Sequence, residues 1–238
     1  MNTVQKLKQQ AAERAVECIE SGMIVGFGHG STVSFAMRCI ATLLKAGELK
    51  DIIGVPCSIQ VENEAQHLGI HLTTLDEHPI IDVTIDGADE VNPNLDCIKG
   101  GGGALLREKI VAQASLREII VVDESKLSPA LGTHWPVPVE VIPFGWQSQV
   151  SFLETLGAIV SVRQASDKRK FFTDQGNLIA DCNFGPLQQP TQVAKALSQR
   201  IGIVEHGLFL GLTTDVIVAG KNSIRHLTRK AQEIQRKE

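Results

Sequence analysis

Apolar positions along this chain switch repeatedly between helical spacing and short continuous runs. Leu7, Ala11, Ala15 and Ile19 recur at helical spacing and Ser21-Gly22 supplies a stop, so an amphipathic helix is predicted first. The run MIVGF then reads as a buried strand, and Phe35, Met37, Ile40 and Leu44 continue as a helix beyond Gly28–Thr32. IIGVPC (52–57) reads as a strand, SIQVENEAQHLG (58–69) as a helix with Ser58 as N-cap and Gly69 as terminator. IHLTTL (70–75) and PIIDVTID (79–86) read as strands, followed by a helix from about Ala104 to Ala114 and a strand REIIVVD (117–123). Strands alternating with helices in this way predict βαβ units, hence an α/β fold with a mostly parallel sheet covered by helices.

The pattern changes after residue 132. GTHWPVPVEVIP (132–143) is Pro-rich and extended, WQSQVSFLETLG (146–157) looks helical and AIVSVR (158–163) looks like a strand. KFFTDQGNLIADC (170–182) reads as a hairpin around Asp174–Asn177, and PTQVAKALSQRIG (190–202) as a helix. We therefore expect a small α+β domain over 133–206, with 1–132 and 207–238 forming the larger catalytic domain. LFLGLTTDVIVAG (208–220) reads as a strand pair returning to the first sheet. The basic tail from Lys221 to Glu238 reads as a solvated helix.

Composition narrows the class. Hydrophobic residues make up 43% of the 238, yet aromatics only 4% and Tyr none, so the core is built from Val, Ile, Leu and Ala. That bias suits parallel strands buried on both faces. A net charge of −4 argues against nucleic acid as the main partner, so an anionic substrate needs a local positive site. The five cysteines are odd in number, widely spaced and without a CxxC pair, which predicts reduced thiols in the cytoplasm rather than disulfides or a zinc site. The N-terminal stretch lacks an apolar signal core, and no run approaches the roughly 18 apolar residues of a spanning helix, so no membrane partner is expected.

In such sheets ligands bind outside the C-terminal strand ends. That rule puts GHGST (28–32), DGADE (86–90) and DESK (123–126) on one rim, because each follows a predicted strand. Two readings of GHGST are open. Its glycines and hydroxyls can cradle an anion at a helix start, or Ser31 can simply cap that helix above a tight turn. Asp86 and Asp89 likewise stand as pocket carboxylates or as turn residues bonded to their own backbone. Lys99, just before Gly100–Gly103, is either surface charge or a stabiliser for a developing oxyanion. Glu108 is either an acidic residue favoured in a first helical turn or a general base held over a pocket. A base, a cation and carboxylates able to shuttle hydroxyl protons are the parts of a proton-transfer isomerase, with Lys99 carrying the electrostatic load in place of a metal.

GFGHGST, DGADEVN, KGGGGALLREKI and DESK, in this order, resemble ribose-5-phosphate isomerase of type A over nearly the whole chain to Gly220. The resemblance implies a Rossmann-like domain with a small α+β domain, a homodimer or homotetramer, no cofactor and no metal. The implied substrate is a sugar phosphate, interconverted between D-ribose 5-phosphate and D-ribulose 5-phosphate in the pentose phosphate pathway. By motif it implies Glu108 as the proton acceptor, Lys99 as the enediolate stabiliser, and Asp86 and Asp89 as groups that bind sugar hydroxyls and assist ring opening. His29, Gly30, Ser31 and Thr32 would hold the phosphate with Lys8, while Gly87, Ala88, Gly100, Gly101, Gly102 and Lys126 would contact substrate. His29 departs from the family, which usually has Thr there. Its ring either adds a charge-assisted contact or points outward, and the outward orientation is expected. Two other readings compete: a sugar-phosphate sensing domain, which has no need of the base in REK, and a coenzyme A transferase, which needs a nucleophilic glutamate.

Overall fold

The computed structural model describes residues 3–229. The first half runs α1 (Thr3–Val16), β1 (Ile24–Phe27), α2 (Ser31–Ala46), β2 (Ile53–Pro56), α3 (Ile59–Leu68), β3 (His71–Leu72), β4 (Ile81–Asp86), β5 (Glu90–Val91), β6 (Cys97–Ile98), α4 (Leu105–Ala114) and β7 (Ser115–Asp123). The second half runs β8 (Val137–Val141), α5 (Trp146–Thr155), β9 (Ile159–Val162), β10 (Leu178–Asn183), α6 (Pro190–Ser198), β11 (Ile203–His206), β12 (Leu208–Phe209), β13 (Asp215–Ala219) and β14 (Ile224–Thr228).

A seven-stranded sheet in the order β14-β13-β7-β4-β1-β2-β3 forms the larger layer, all pairs parallel except β13 with β14. This is the α/β architecture expected. Its strands read as unbroken apolar runs because both faces are covered. On β7, Ile119 and Val121 pack into the cluster beneath α1 and α2, while Ile120 and Val122 face the opposite cluster with Phe209 and Val216. Ser58 caps α3 by accepting from the Val61 N–H at 3.2 Å, and Gly69 ends it in the left-handed region, as their sequence positions predict.

A four-stranded antiparallel sheet, β11-β8-β10-β9, packs with Leu153 of α5 and Leu197 of α6 around a separate cluster. A third sheet, β12-β6-β5, is small but decisive for the site, since Lys99 follows β6 directly. The Asp89 N–H donates to Ile98 O at 2.9 Å and the Lys99 N–H to Gly207 O at 2.9 Å, which fixes both residues against one ribbon.

Three expectations are corrected. Leu208 and Phe209 do not return to the large sheet; they pair with Ile98 and Cys97, and only Asp215–Ala219 joins β7. A turn at Gly211, whose N–H donates to Asp96 Oδ1 at 2.9 Å, separates the two. The hairpin over 170–182 has only its turn: Thr173 and Asn177 close it, but Lys170 makes a single bridge to Gln164 and β10 pairs with β9 and β8. The Thr173 hydroxyl and the Asn177 amide each donate to buried Glu140 Oε1 at 2.9 Å, drawing this segment away from a ladder. In the tail, Ile224–Thr228 is a strand rather than a helix, because the free edge of β13 supplies backbone partners for it. Residues 230–238 lie outside the described residues. Among the described residues no helix is long and apolar enough to cross a membrane.

Candidate active site

The strands β7, β4 and β1 are neighbours, so the motifs that follow them meet at one rim. The chain leaves β1 towards β2 on one side and returns to β4 on the other, so the crevice lies where the winding reverses. A cleft of about 140 Å3 opens there, lined by residues 29–32, 87–89 and 99–102 together with Lys8, Glu108 and Lys126. Of the residues singled out from the sequence, all but Asp86 lie on its wall.

The two loops interlock through a close approach at Gly28. A Cβ there would stand 1.9 Å from the Asp86 carboxyl, so only glycine lets β1 and β4 end side by side. Asp86 Oδ1 accepts from the His29 N–H at 3.2 Å and the Gly87 N–H at 2.6 Å. Gly30 is the N-cap of α2 and no side chain caps that helix, which excludes Ser31 as a mere cap. The Ser31 hydroxyl is instead approached by Lys8 Nζ at 2.9 Å. The sixteen-residue α2 thus presents its positive end and first N–H groups to the cleft beside an ammonium, an arrangement suited to a phosphate.

His29 does not point into solvent. Its Nδ1 lies 3.0 Å from Ser58 Oγ, and its ring edge occupies the space a side chain at position 102 would need. The outward orientation expected from the sequence is corrected, because Gly102, distant in the chain, leaves room for the ring.

Lys99 is buried, not surface charge. Its Nζ donates to Glu108 Oε1 at 2.9 Å and to Gly87 O at 2.6 Å, and forms an ion pair with Asp86 Oδ2 at 2.8 Å. Burial alone would lower the ammonium pKa, but the Asp86 and Glu108 carboxylates outweigh it and hold the pKa well above the usual range. Asp86 is fully buried beneath the ammonium; burial pushes its carboxyl up to about 7 against the pull of Lys99, with Glu108 adding to the rise. Lys99 therefore stays the cation, and Asp86 is the partner that titrates near neutrality.

Glu108 sits in the first turn of α4, 3% exposed, with its carboxylate turned to Lys99 and to the cleft. The next residue, Lys109, anchors the same turn by donating to Glu205 Oε1 at 2.7 Å and His206 O at 2.6 Å. The ring of Phe209 lies between the two ammoniums, 5.4 Å from Lys99 Nζ and 4.8 Å from Lys109 Nζ. Asp89, half-buried on the cleft wall, accepts from the Gly101 N–H at 2.7 Å; burial raises its pKa and that N–H opposes the rise. Lys126 reaches the cleft with its Nζ 4.9 Å from the Trp135 ring centroid. Glu90 is spent elsewhere, accepting from the N–H groups of Gly132, Thr133 and His134.

Sequence reasoning missed two neighbours. Asp123, the first residue of DESK, lines the cleft and caps the turn carrying Lys126 through Ser125. Glu118 lies one pairing step below: it registers with Thr84, two residues before Asp86, so the three share a face. Among the described residues neither Glu118 carboxyl oxygen has a hydrogen-bond partner; burial first, then the Asp86 charge, hold its pKa well above the usual range. No local signal distinguishes this Glu from a surface one. Chemically, the cleft joins a buried ammonium, a carboxylate able to accept a proton, a second carboxyl in the wall and an anion-binding helix start. Among the described residues no group of three His, Cys, Asp or Glu side chains is placed to hold a metal ion.

A family model described as ribose 5-phosphate isomerase A (phosphoriboisomerase A) matches residues 53–223. The ribose-5-phosphate isomerase A of Desulfatibacillum aliphaticivorans is 57% identical over 227 residues, covering 95% of this chain and 99% of that one. The ribose 5-phosphate isomerase from Plasmodium falciparum superposes with a TM-score of 0.93 at 39% identity, covering 95% of this chain and all of that one. A D-ribose-5-phosphate isomerase solved in complex with phospho-erythronic acid superposes with a TM-score of 0.93 at 38% identity, covering 96% of this chain and all of that one.

Proposed function

This chain belongs to the ribose 5-phosphate isomerase A family, an aldose–ketose isomerase, and from that premise we propose how its residues divide the chemistry. The substrate is D-ribose 5-phosphate, converted reversibly to D-ribulose 5-phosphate. The phosphate rests on the start of α2, held by the N–H groups there, Ser31, Thr32 and Lys8, with His29 and Gly30 forming the turn. Asp89 takes a sugar hydroxyl and assists ring opening. Glu108 removes the proton from C2 of the open-chain aldose and returns it to C1. The electron pair left at C2 forms an enediolate, whose oxygen charge the Lys99 ammonium stabilises, while a proton passes from O2 to O1. Asp86, shielded from the cleft, acts through Lys99 by holding it in place. Gly87, Ala88, Gly100, Gly101, Gly102 and Lys126 complete the walls around the sugar.

The observation that carries this reading is the Glu108–Lys99–Asp86 chain of contacts at 2.9 and 2.8 Å, set beside an uncapped helix start. Base and cation adjoin the place where a sugar phosphate's reacting carbons come to lie. The family leaves the sensing-domain and coenzyme A transferase readings without support. We further assign the enzyme to the cytoplasm as a homodimer or homotetramer, which light scattering on the purified protein tests. For the chemistry, interconversion of the two pentose phosphates is measured with and without chelator. Glu108→Gln is expected to lower turnover by about 10²–10⁴-fold with binding largely kept. Full activity in that variant would overturn the assignment of the base.

A further inference from the structure

The four-glycine loop is held from outside by a residue that never touches the cleft. Arg163 follows β9, and its Nη1 donates to Gly100 O at 2.7 Å and Gly101 O at 3.1 Å. The rest of its guanidinium is taken by Asp181 of β10, through Nε at 2.9 Å and a second contact from Nη2. Phe171 completes the grip. Its N–H donates to Arg163 O at 3.0 Å and its ring fills the space over Gly103, where a Cβ would meet Phe171 Cζ at 2.4 Å.

The geometry of the peptide unit gives this grip a consequence. The Gly100 carbonyl and the Gly101 N–H belong to one planar trans unit and point in opposite directions. Drawing Gly100 O to Arg163 therefore aims the Gly101 N–H at Asp89 Oδ2, 2.7 Å away. The same rule applied to Gly101 O aims the Gly102 N–H to the cleft side of the loop, where Gly102 lines the wall. A guanidinium beside these carbonyls also polarises both peptides, strengthening what their N–H groups donate. Glycines have many backbone states to choose from, so a loop of four needs an external tie to hold one of them.

We propose that Arg163, held by Asp181, is a positioning residue for the isomerisation: it fixes the Gly100–Gly102 peptides, and through them Asp89 and the substrate-facing N–H of Gly102. The inference rests on the proposed roles of Glu108, Lys99 and Asp89. Arg163→Gln is expected to lower kcat by about 10–100-fold, the scale of a misplaced catalytic geometry, with a smaller change in KM. Asp181→Asn lowers kcat in the same direction by less. In Arg163→Ala, millimolar guanidinium ion restores part of the turnover while leaving the parent enzyme unaffected. A tie that served folding alone would move the melting temperature and leave kcat of the folded fraction at the parental value. Parental kcat in folded Arg163→Gln, or a loss confined to KM, overturns the proposal. If Arg163 variants do not fold, Asp181→Asn decides it, and a parental kcat there overturns it equally. Glu108→Gln assayed in parallel separates the two readings: an active Glu108 variant removes the proposed site, whereas an inactive one beside a fully active Arg163→Gln removes only this inference.

Discussion

Lys99 Nζ stands 2.9 Å from Glu108 Oε1, and the two side chains are 2% and 4% exposed. In the proposed roles of base and oxyanion stabiliser, their shielding from water strengthens each interaction made in the transition state. The same shielding makes the pair intolerant of losing a member. Lys99→Met should lower turnover by about 10²–10³-fold, the usual worth of an oxyanion donor. It should also destabilise the fold by roughly 3–5 kcal/mol, because buried carboxylates lose their cation. Turnover together with thermal melting checks this, and a variant with unaltered melting would show that the ammonium is dispensable to the buried charges.

Asp86 gives stability a pH dependence. Burial raises its folded pKa to about 7, above the unfolded value of about 4, so its contribution is complete below pH 4 and lost as pH rises through 7. Asp86→Asn should flatten the decline in melting temperature over that window. A series of melting curves from pH 4 to 8 tests the sign, and an unchanged slope would place the titration on another group.

Glu118 offers the opposite experiment, a substitution expected to stabilise. Both its oxygens lack hydrogen-bond partners among the described residues and its pKa is held well above normal by burial and by Asp86, so its stability contribution also falls as pH rises. Replacing it with Met should raise stability by about 1–3 kcal/mol near neutral pH, the penalty of an unsatisfied buried polar group. The gain should shrink towards pH 4, where both states hold the proton. Denaturant midpoints at the two pH values measure it, and a loss of stability at pH 7 would mean that the carboxyl has a partner.

Lys8 tests the proposed phosphate cradle. Its ammonium reaches Ser31 from α1, and in the proposed function it holds the phosphate apart from the proton-transfer groups, so its binding energy should be the same in ground and transition states. Lys8→Met should raise KM by about tenfold, worth one ordinary charge-assisted contact, with kcat near the parental value. Inhibition by inorganic phosphate should weaken in parallel. A variant that lowers kcat while keeping KM would move Lys8 into the chemistry.

Much of this enzyme is determined by local sequence. Strand, glycine turn and helix recur because apolar runs, caps such as Ser58 and terminators such as Gly69 each act within a few residues of themselves. The rim that gathers GHGST, DGADE and DESK follows from the same alternation, since every motif trails a parallel strand. Tertiary structure decided what depends on packing between distant segments. It buried Lys99, because β6, β12 and α4 close around the ammonium, and it placed Asp86 behind that ammonium instead of on the wall. It made a strand of Ile224–Thr228, because the open edge of β13 supplies partners that a helical pattern cannot foresee. It also joined Arg163 to Gly100 across 63 residues of chain, a contact set by where β9 ends and by no pattern within either segment. Local propensity names the chemical groups; burial and register decide which of them face one another.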